Sequence, residues 1–439
     1  MSVNLNEAQK PSHDGNPHDH TTSKDTVSSP PLLGPYRVLD LTDEKGSFCG
    51  LLMATLGADM IKVEKPGGDD ARDIGPFYHD IPDPERSLSW FALNRDKRGI
   101  TLDVESPQGQ NIFRELVKSA DFVIESFPPG YMENLGIGYS NLSQVNPRII
   151  VMSITPFGQT GEYKDYKGSD IVCAAMGGLV YMLGDEDRPP VRISVEQSYY
   201  QAGVQATAAM LMAHHYRENT GEGQWIDVSI QECMLWTTSR PSVEWYTNGR
   251  IFRREGSHQK RMGRAFRMLF PCKDGFVACR IGSGLMAGRM HKKLIRVMND
   301  EGLAEEFRDV DWESLDIYQI PQELIDGCEE AMITYFMRHT KDELHNEALK
   351  HGFVLCPVGT MKDMSEYPQL ASRDYWVEIR HPELDAKVTY PGSFFKSNET
   401  SGIIRNPAPL PGEHNEQIYT TEMGINQAEL RALREQGII

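Results

Sequence analysis

Three short segments near the start of the chain leave little choice of architecture. RVLDL, Arg37–Leu41, reads as a buried strand, an apolar helix follows through Leu51–Leu56 and stops at Gly57, and MIKVE, Met60–Glu64, is a second strand. Strand, helix and strand in so few residues make a parallel pair, because the helix carries the chain back to the end of the sheet where it began. The pattern repeats with Ile100–Leu102 as a strand, Pro107–Lys118 as a helix capped by Ser106, and Phe122–Glu125 and Ile149–Ile154 as further strands. The expected fold class is α/β, with an open, doubly wound parallel sheet.

Further on, Glu196–Arg217 reads as a long helix, Trp225–Val228 as a strand, and Ile230 to about Ser239 as another helix. Around Trp245 the character changes, and Arg250, Arg253, Arg254, Lys260, Arg261, Arg264 and Arg267 crowd one short segment. A domain boundary is expected there, since a chain of 439 residues exceeds the size at which one core stops growing. Arg267–Cys272 and Phe276–Arg280 form a hairpin across KDG, and helices at Leu285–Met298, Pro321–Thr340 and Asp342–His351 complete a smaller α+β domain over 245–350. The first domain spans 32–244. The last part, 351–439, carries strands at Val354–Pro357, Trp376–His381 and Lys387–Tyr390 and a helix at Gln427–Gln436. Residues 1–31 have almost no large apolar side chains and read as a disordered tail, with His13, His18 and His20 solvated rather than metal-binding.

A net charge of −18 argues against nucleic acid or an anionic membrane as partner. No apolar run approaches the roughly 20 residues that span a bilayer, no signal pattern opens the chain, and seven scattered cysteines lack any CxxC pair. A cytoplasmic protein with reduced thiols and no metal site is expected. GSGLMAG, Gly282–Gly288, lacks the spacing of a dinucleotide fingerprint, and GxxxxGK[ST], HExxH and GxSxG are all missing.

The chemistry points to Ser153–Gly178. There a strand feeds a glycine-bearing loop that ends in a single carboxylate, Asp170, ahead of the small residues Ala174–Gly178. An Asp after Ser is commonly a helix cap, but the same position suits a nucleophile, which has to be ionised and shielded from water. Two basic clusters lie in the first half: Lys62, Lys65 and Arg72 around the PGGDD turn, and NRDKR, Asn94–Arg98, before a strand. Turn amides with Lys and Arg suit a phosphate or pyrophosphate.

In order along the chain stand VLDL, LGADMIKVEKPGGDDAR, NRDKRGITLD, ADFVIESFPPGYMENLGIGY, NPRIIVMSITPFGQTG, SDIVCAAMGG, TGEGQWIDVSIQE and PGEHNEQIY. Together these blocks resemble the class III CoA-transferases, the CaiB/BaiF family, over nearly the whole chain after the tail. The resemblance implies an interlocked homodimer whose large Rossmann-like domain is assembled from both chain ends, with the smaller domain inserted between them. It implies Asp170 as the covalent nucleophile, and Lys65, Arg72, Asn94, Lys97 and Arg98 as ligands of the CoA nucleotide and phosphates. No tightly bound cofactor is implied; a CoA thioester is the co-substrate. Oxyanions formed along the way need backbone amides, for which Ala174–Gly178 or an apposed glycine loop are candidates.

Formyl-CoA transferases of the family carry a run of glycines where this chain has GSHQKRMGRAFR, with only Gly256 and Gly263. That basic loop, through Arg261 and Arg264, suggests an acceptor acid with an extra carboxylate, or else a contact with the partner chain. Tyr199 stands where many members have Asp, and resembles the benzylsuccinate branch. Two rival readings are a 2-methylacyl-CoA racemase, which typically has His where this chain has Ser169, and a subunit of a heteromeric CoA-transferase.

Overall fold

The computed structural model describes residues 31–398, 400, 402 and 404–439. Met1–Pro30, with His13, His18 and His20, lie outside the described residues.

Six strands make the main sheet: β1 (Arg37–Leu41), β2 (Asp59–Glu64), β3 (Arg98–Thr101), β4 (Phe122–Glu125), β5 (Ile150–Thr155) and β6 (Trp225–Ser229). All pair in parallel, in the order β3-β2-β1-β4-β5-β6. This is the doubly wound order, and its reversal between β1 and β4 opens a crevice at their carboxyl ends, where ligands of such sheets bind.

Alternation along each strand sends side chains to opposite faces, and both faces are covered. Leu39, Ile61, Val63, Val123 and Val151 pack on one face with the helix Pro107–Val117 and with Ile418, Tyr419, Leu430 and Leu433 from the end of the chain. Val38, Met60, Phe122, Ile124, Ile150 and Met152 pack on the other with Cys49, Met53, Ala202, Ala206 and Met210. The last three lie on the long helix Ser198–Thr220, which Gly221 ends in a left-handed conformation at φ 81°. Gly203 lets that helix touch the helix Ser47–Thr55, since a Cβ there would stand 2.9 Å from the Phe48 side chain.

A second cluster is drawn from residues 266–355. The crowded basic segment is an antiparallel hairpin, β7 (His258–Arg261) with β8 (Arg264–Arg267), rather than a loop. Met262 and Gly263 turn it with φ of 47° and 80°, as a two-residue hairpin turn requires. β9 (Leu269–Cys272) and β10 (Gly275–Cys279) form the expected hairpin, and β11 (Leu355–Pro357) adds antiparallel to β10. Residues 353–357 therefore side with this cluster, although the sequence puts them with the final part of the chain. β12 (Trp376–His381) and β13 (Ala386–Pro391) pair only with each other in a separate hairpin; Ile379 and Tyr390 pack on Trp90 and Phe91, next to the main sheet.

Candidate active site

β5 leads into the loop that delivers Asp170 as the first residue of the short helix Asp170–Met176. Ser169 takes the cap position without a side-chain bond, so Asp170 is not the cap anticipated from the sequence. Its carboxylate turns to the long helix instead. Oδ1 accepts a hydrogen bond from the Ser198 amide at 2.8 Å and from the Ser198 hydroxyl at 2.5 Å. Oδ2 accepts none from any described residue. One oxygen is anchored and the other is available, on a partly buried side chain.

Cys173, one turn on, is no rival nucleophile, because burial and the neighbouring Asp170 charge push its thiol up to about 12. Of the segment Ala174–Gly178, expected to supply oxyanion donors, the amides of Gly177 and Gly178 are already engaged by the carbonyls of Cys173 and Ala175. For these two glycines the expectation is corrected, since their amides close the helix turn.

Asp170 borders a shallow cleft lined by Ile171, Ala174, Leu179, Val180, Leu183, Ile193 and Val195, with Arg192 and Gln197 at its rim. A strap over 183–198 forms one wall, tied at one end by the Val191 amide to the Leu183 carbonyl, 3.2 Å, and at the other by Ser198 to Asp170. The basic segment rests on this strap. The Gly256 amide donates to the Gly184 carbonyl, Arg254 donates to the carbonyls of Tyr181 and Asp185, and Lys260 pairs with Glu186. Arg264 is spent on the carbonyls of Ile320 and Met262.

A larger cavity of about 610 Å³ lies at the carboxyl ends of β1 to β4, lined by Asp43, Glu44, Lys65, Asp70, Ser126 and Phe127 among others. Tyr199 is buried, and its hydroxyl is raised in pKa by burial and by the charges of Glu44, Cys173, Asp43 and Asp170.

Of the five residues expected to hold CoA, Lys65 alone borders this cavity, paired with Asp70. Arg72 is buried, forked onto Glu64 at 2.7 and 2.8 Å and stacked 3.9 Å from the Trp90 ring. Lys97 is wholly buried, 2.7 Å from Asp40 and 2.9 Å from the Asn94 side chain. Burial lowers the Lys97 pKa; Asp40, which burial alone would raise, is held below the usual range by Lys97 and Lys62. Arg98 pairs with Asp59 and Glu422 at the far end of its strand. The structure thus joins Asn94 and Lys97 in one buried network and sets Lys65 and Arg98 apart.

Sequence reading missed Ser198, Arg192 and Glu125. Ser198 opens the long helix, where a hydroxyl reads as a cap. Glu125 ends β4 with its carboxyl buried beside Ser153, and burial pushes it up to about 7.

Fold and site together describe a doubly wound α/β protein with a strand-end cavity and one oriented carboxylate beside an apolar cleft. The model of CoA-transferase family III matches residues 33–415, and the chain belongs to that family. It is an enzyme of the class III CoA-transferases, whose co-substrates are CoA thioesters. It is 33% identical to succinyl-CoA:(R)-benzylsuccinate CoA-transferase subunit BbsE of Thauera aromatica, over 92% of this chain and 97% of that one. It is 30% identical to succinyl-CoA–D-citramalate CoA-transferase of Chloroflexus aurantiacus, over 93% and 98%. A solved CaiB/BaiF family protein from Brucella suis superposes with a TM-score of 0.76 at 26% identity, covering 90% of this chain and all of that one.

Proposed function

We propose that this enzyme moves CoA from succinyl-CoA to a substituted dicarboxylic acid, with Asp170 as transient acyl carrier. The observation that carries the reading is the asymmetry of Asp170, with Oδ1 fixed by Ser198 and Oδ2 unpartnered beside an apolar cleft. Oδ2 attacks the thioester carbonyl and expels CoA thiolate, which leaves a mixed anhydride. The thiolate then attacks the aspartyl carbonyl, giving an aspartyl-CoA thioester and freeing the donor acid. The acceptor carboxylate attacks that thioester to form a second anhydride and thiolate, and thiolate attack on the acceptor acyl carbon releases the new acyl-CoA and restores Asp170. Anhydrides hydrolyse readily, so the apolar lining contributes by keeping water scarce.

We read the CoA arm as lying in the strand-end cavity, with Lys65, on its lining, as phosphate ligand. Arg72, Asn94, Lys97 and Arg98 are read as framework that sets the loops around it. Incubation with a panel of acyl-CoA donors, hydroxylamine trapping and peptide mass spectrometry tests the nucleophile. Modification is expected at Asp170 alone, and label on any other residue overturns the assignment. Asp170→Ala is expected to bind CoA without turnover.

We infer a homodimer, supported by an apolar face around residues 230–251 on which Trp236 is 75% and Tyr246 87% exposed. The large domain is read as assembled from both chain ends, with about 245–357 inserted between. Light scattering of the purified chain is expected to give a dimer, and Trp236→Asp a monomer. The word "subunit" in the names of the benzylsuccinate relative and of the succinyl-CoA–L-malate CoA-transferase beta subunit of Chloroflexus aurantiacus supports a second reading, a heteromer. Activity of the chain expressed alone separates the two. No helix among the described residues is long and apolar enough to cross a membrane.

A further inference from the structure

We propose that Arg192 binds the carboxylate of the substrate acid that does not react, and so selects dicarboxylic acids. This deepens the proposed function and rests on Asp170 being the acyl carrier. The cleft beside Asp170 is apolar on nearly every side, through Ile171, Ala174, Leu179, Leu183, Ile193 and Val195, and Arg192 is the one cation in its lining. Such a lining takes an acid with a branched or aromatic body, and the guanidinium at its rim adds a charge-selective second point.

Arg192 is also uncommitted. Its single side-chain hydrogen bond is a long one, 3.4 Å, to the Ile193 carbonyl, and no carboxylate among the described residues pairs with it. In the neighbouring basic segment Lys260 is paired with Glu186, Arg254 donates to the Tyr181 and Asp185 carbonyls and Arg264 to the Ile320 carbonyl, and Arg261 does not line the cleft. That hairpin sets the strap, and the strap presents Arg192. The backbone holds it in register, since Val191 is bonded to Leu183 and Ser198 to Asp170 on either side of it.

The cleft as it stands has about 10 Å³ of free volume, room for roughly one water. An acid is therefore admitted when the exposed Arg192, Ile193 and Val195 side chains swing outward, with the ties at Val191 and Ser198 kept. Donor and acceptor acids occupy the same place in turn, so the same guanidinium receives the distal carboxylate of the succinyl group and that of the acceptor.

The test compares wild type, Arg192→Gln and Arg192→Lys with acids that differ only in the distal group, succinate against butyrate, each with the other's CoA thioester as donor so that turnover makes a new thioester. Arg192→Gln is expected to raise the KM for succinate about 10- to 100-fold and to change that for butyrate less than threefold, with Arg192→Lys in between. Arg261→Ala is expected to leave both values alone. Equal losses on succinate and butyrate, or no change on either, overturn the role of Arg192 while Asp170 labelling still stands. Absence of trapped acyl group at Asp170 in the wild type instead overturns the reading beneath it. Thermal melts of each variant within about 2 °C of wild type show that the fold is intact, and a larger KM effect from Arg261→Ala than from Arg192→Gln returns the selection to the hairpin.

Discussion

Ser198 holds one oxygen of Asp170 twice, through its amide at 2.8 Å and its hydroxyl at 2.5 Å. The bonds join the first residue of a short helix to the first of a long one, so the carboxylate is oriented by the most extensively packed helix on that face of the sheet. Ser198→Ala keeps the amide bond and loses the hydroxyl. Loss of one hydrogen bond to a charged group costs about 1.5–3 kcal/mol, so kcat is expected to fall about 10- to 100-fold with an unchanged KM for the donor. Steady-state kinetics check this; a full-rate Ser198→Ala variant shows that orientation of Asp170 does not depend on the hydroxyl.

The buried pair of Lys97 and Asp40 separates a structural from a ligand-binding role. Removing one member leaves an uncompensated buried charge, so Lys97→Met is expected to lose about 3–5 kcal/mol in urea unfolding, and Asp40→Leu with Lys97→Met to recover most of it. Gly50→Ala is expected to act in the same direction, because a Cβ there would stand 2.5 Å from Asp40 Oδ2. A Lys97 variant of native stability with a weakened CoA affinity would return this residue to the nucleotide site.

Glu125 gives the fold a pH dependence of known sign. Its folded pKa is raised by burial to about 7, above its ordinary value of 4.5, so the folded state binds a proton more tightly than the unfolded state. The stabilisation is complete below about pH 4.5 and is lost as pH rises through 7, by roughly 3 kcal/mol in all. Glu125→Gln cannot ionise. The stability difference between variant and wild type is expected to move in the variant's favour from pH 5 to pH 8, and a constant difference across that window rules the effect out.

Asn415 closes the open side of β3. Its Oδ1 accepts from the Thr101 amide at 2.9 Å and its Nδ2 donates to the Thr101 hydroxyl at 2.8 Å, both buried. Asn415→Ala leaves an amide without a partner, at a cost of about 1–3 kcal/mol in urea melts, with KM values unaffected.

The main sheet is legible because its inner strands are buried on both faces, so that nearly continuous apolar runs such as IIVMSI mark them in the sequence. Boundaries slipped where a terminus depends on a distant contact. The helix opens at Ser47 and not at Leu51, because its first turn, SFCG, follows Gly46, ends in Gly50 and is held by Asp43 rather than marked by an apolar run. The β7–β8 hairpin reads as a loop in sequence because its strands are basic and half-exposed, without an apolar alternation to mark them. In the site, Asp170 was visible through its neighbours in sequence, whereas Ser198 and Arg192 approach it from a strap folded back across the cleft. Lys97 and Arg72, basic residues near a glycine turn that read as phosphate ligands, stand in the fold beside Asp40 and Glu64, carboxylates that no local sequence pattern brings to notice.

β3 is an edge strand, and its outer side is met by residues more than 300 positions later: the His414 amide donates to the Gly99 carbonyl, and Asn415 takes the Thr101 amide. During synthesis on the ribosome, the sheet strands emerge long before the segment that shields this edge. A nascent chain therefore spends the interval with an exposed strand that neighbouring copies can pair with, and closing so long a loop is slow. Yield from an expressing cell should thus respond to lower temperature and chaperone supply even where the finished enzyme is stable.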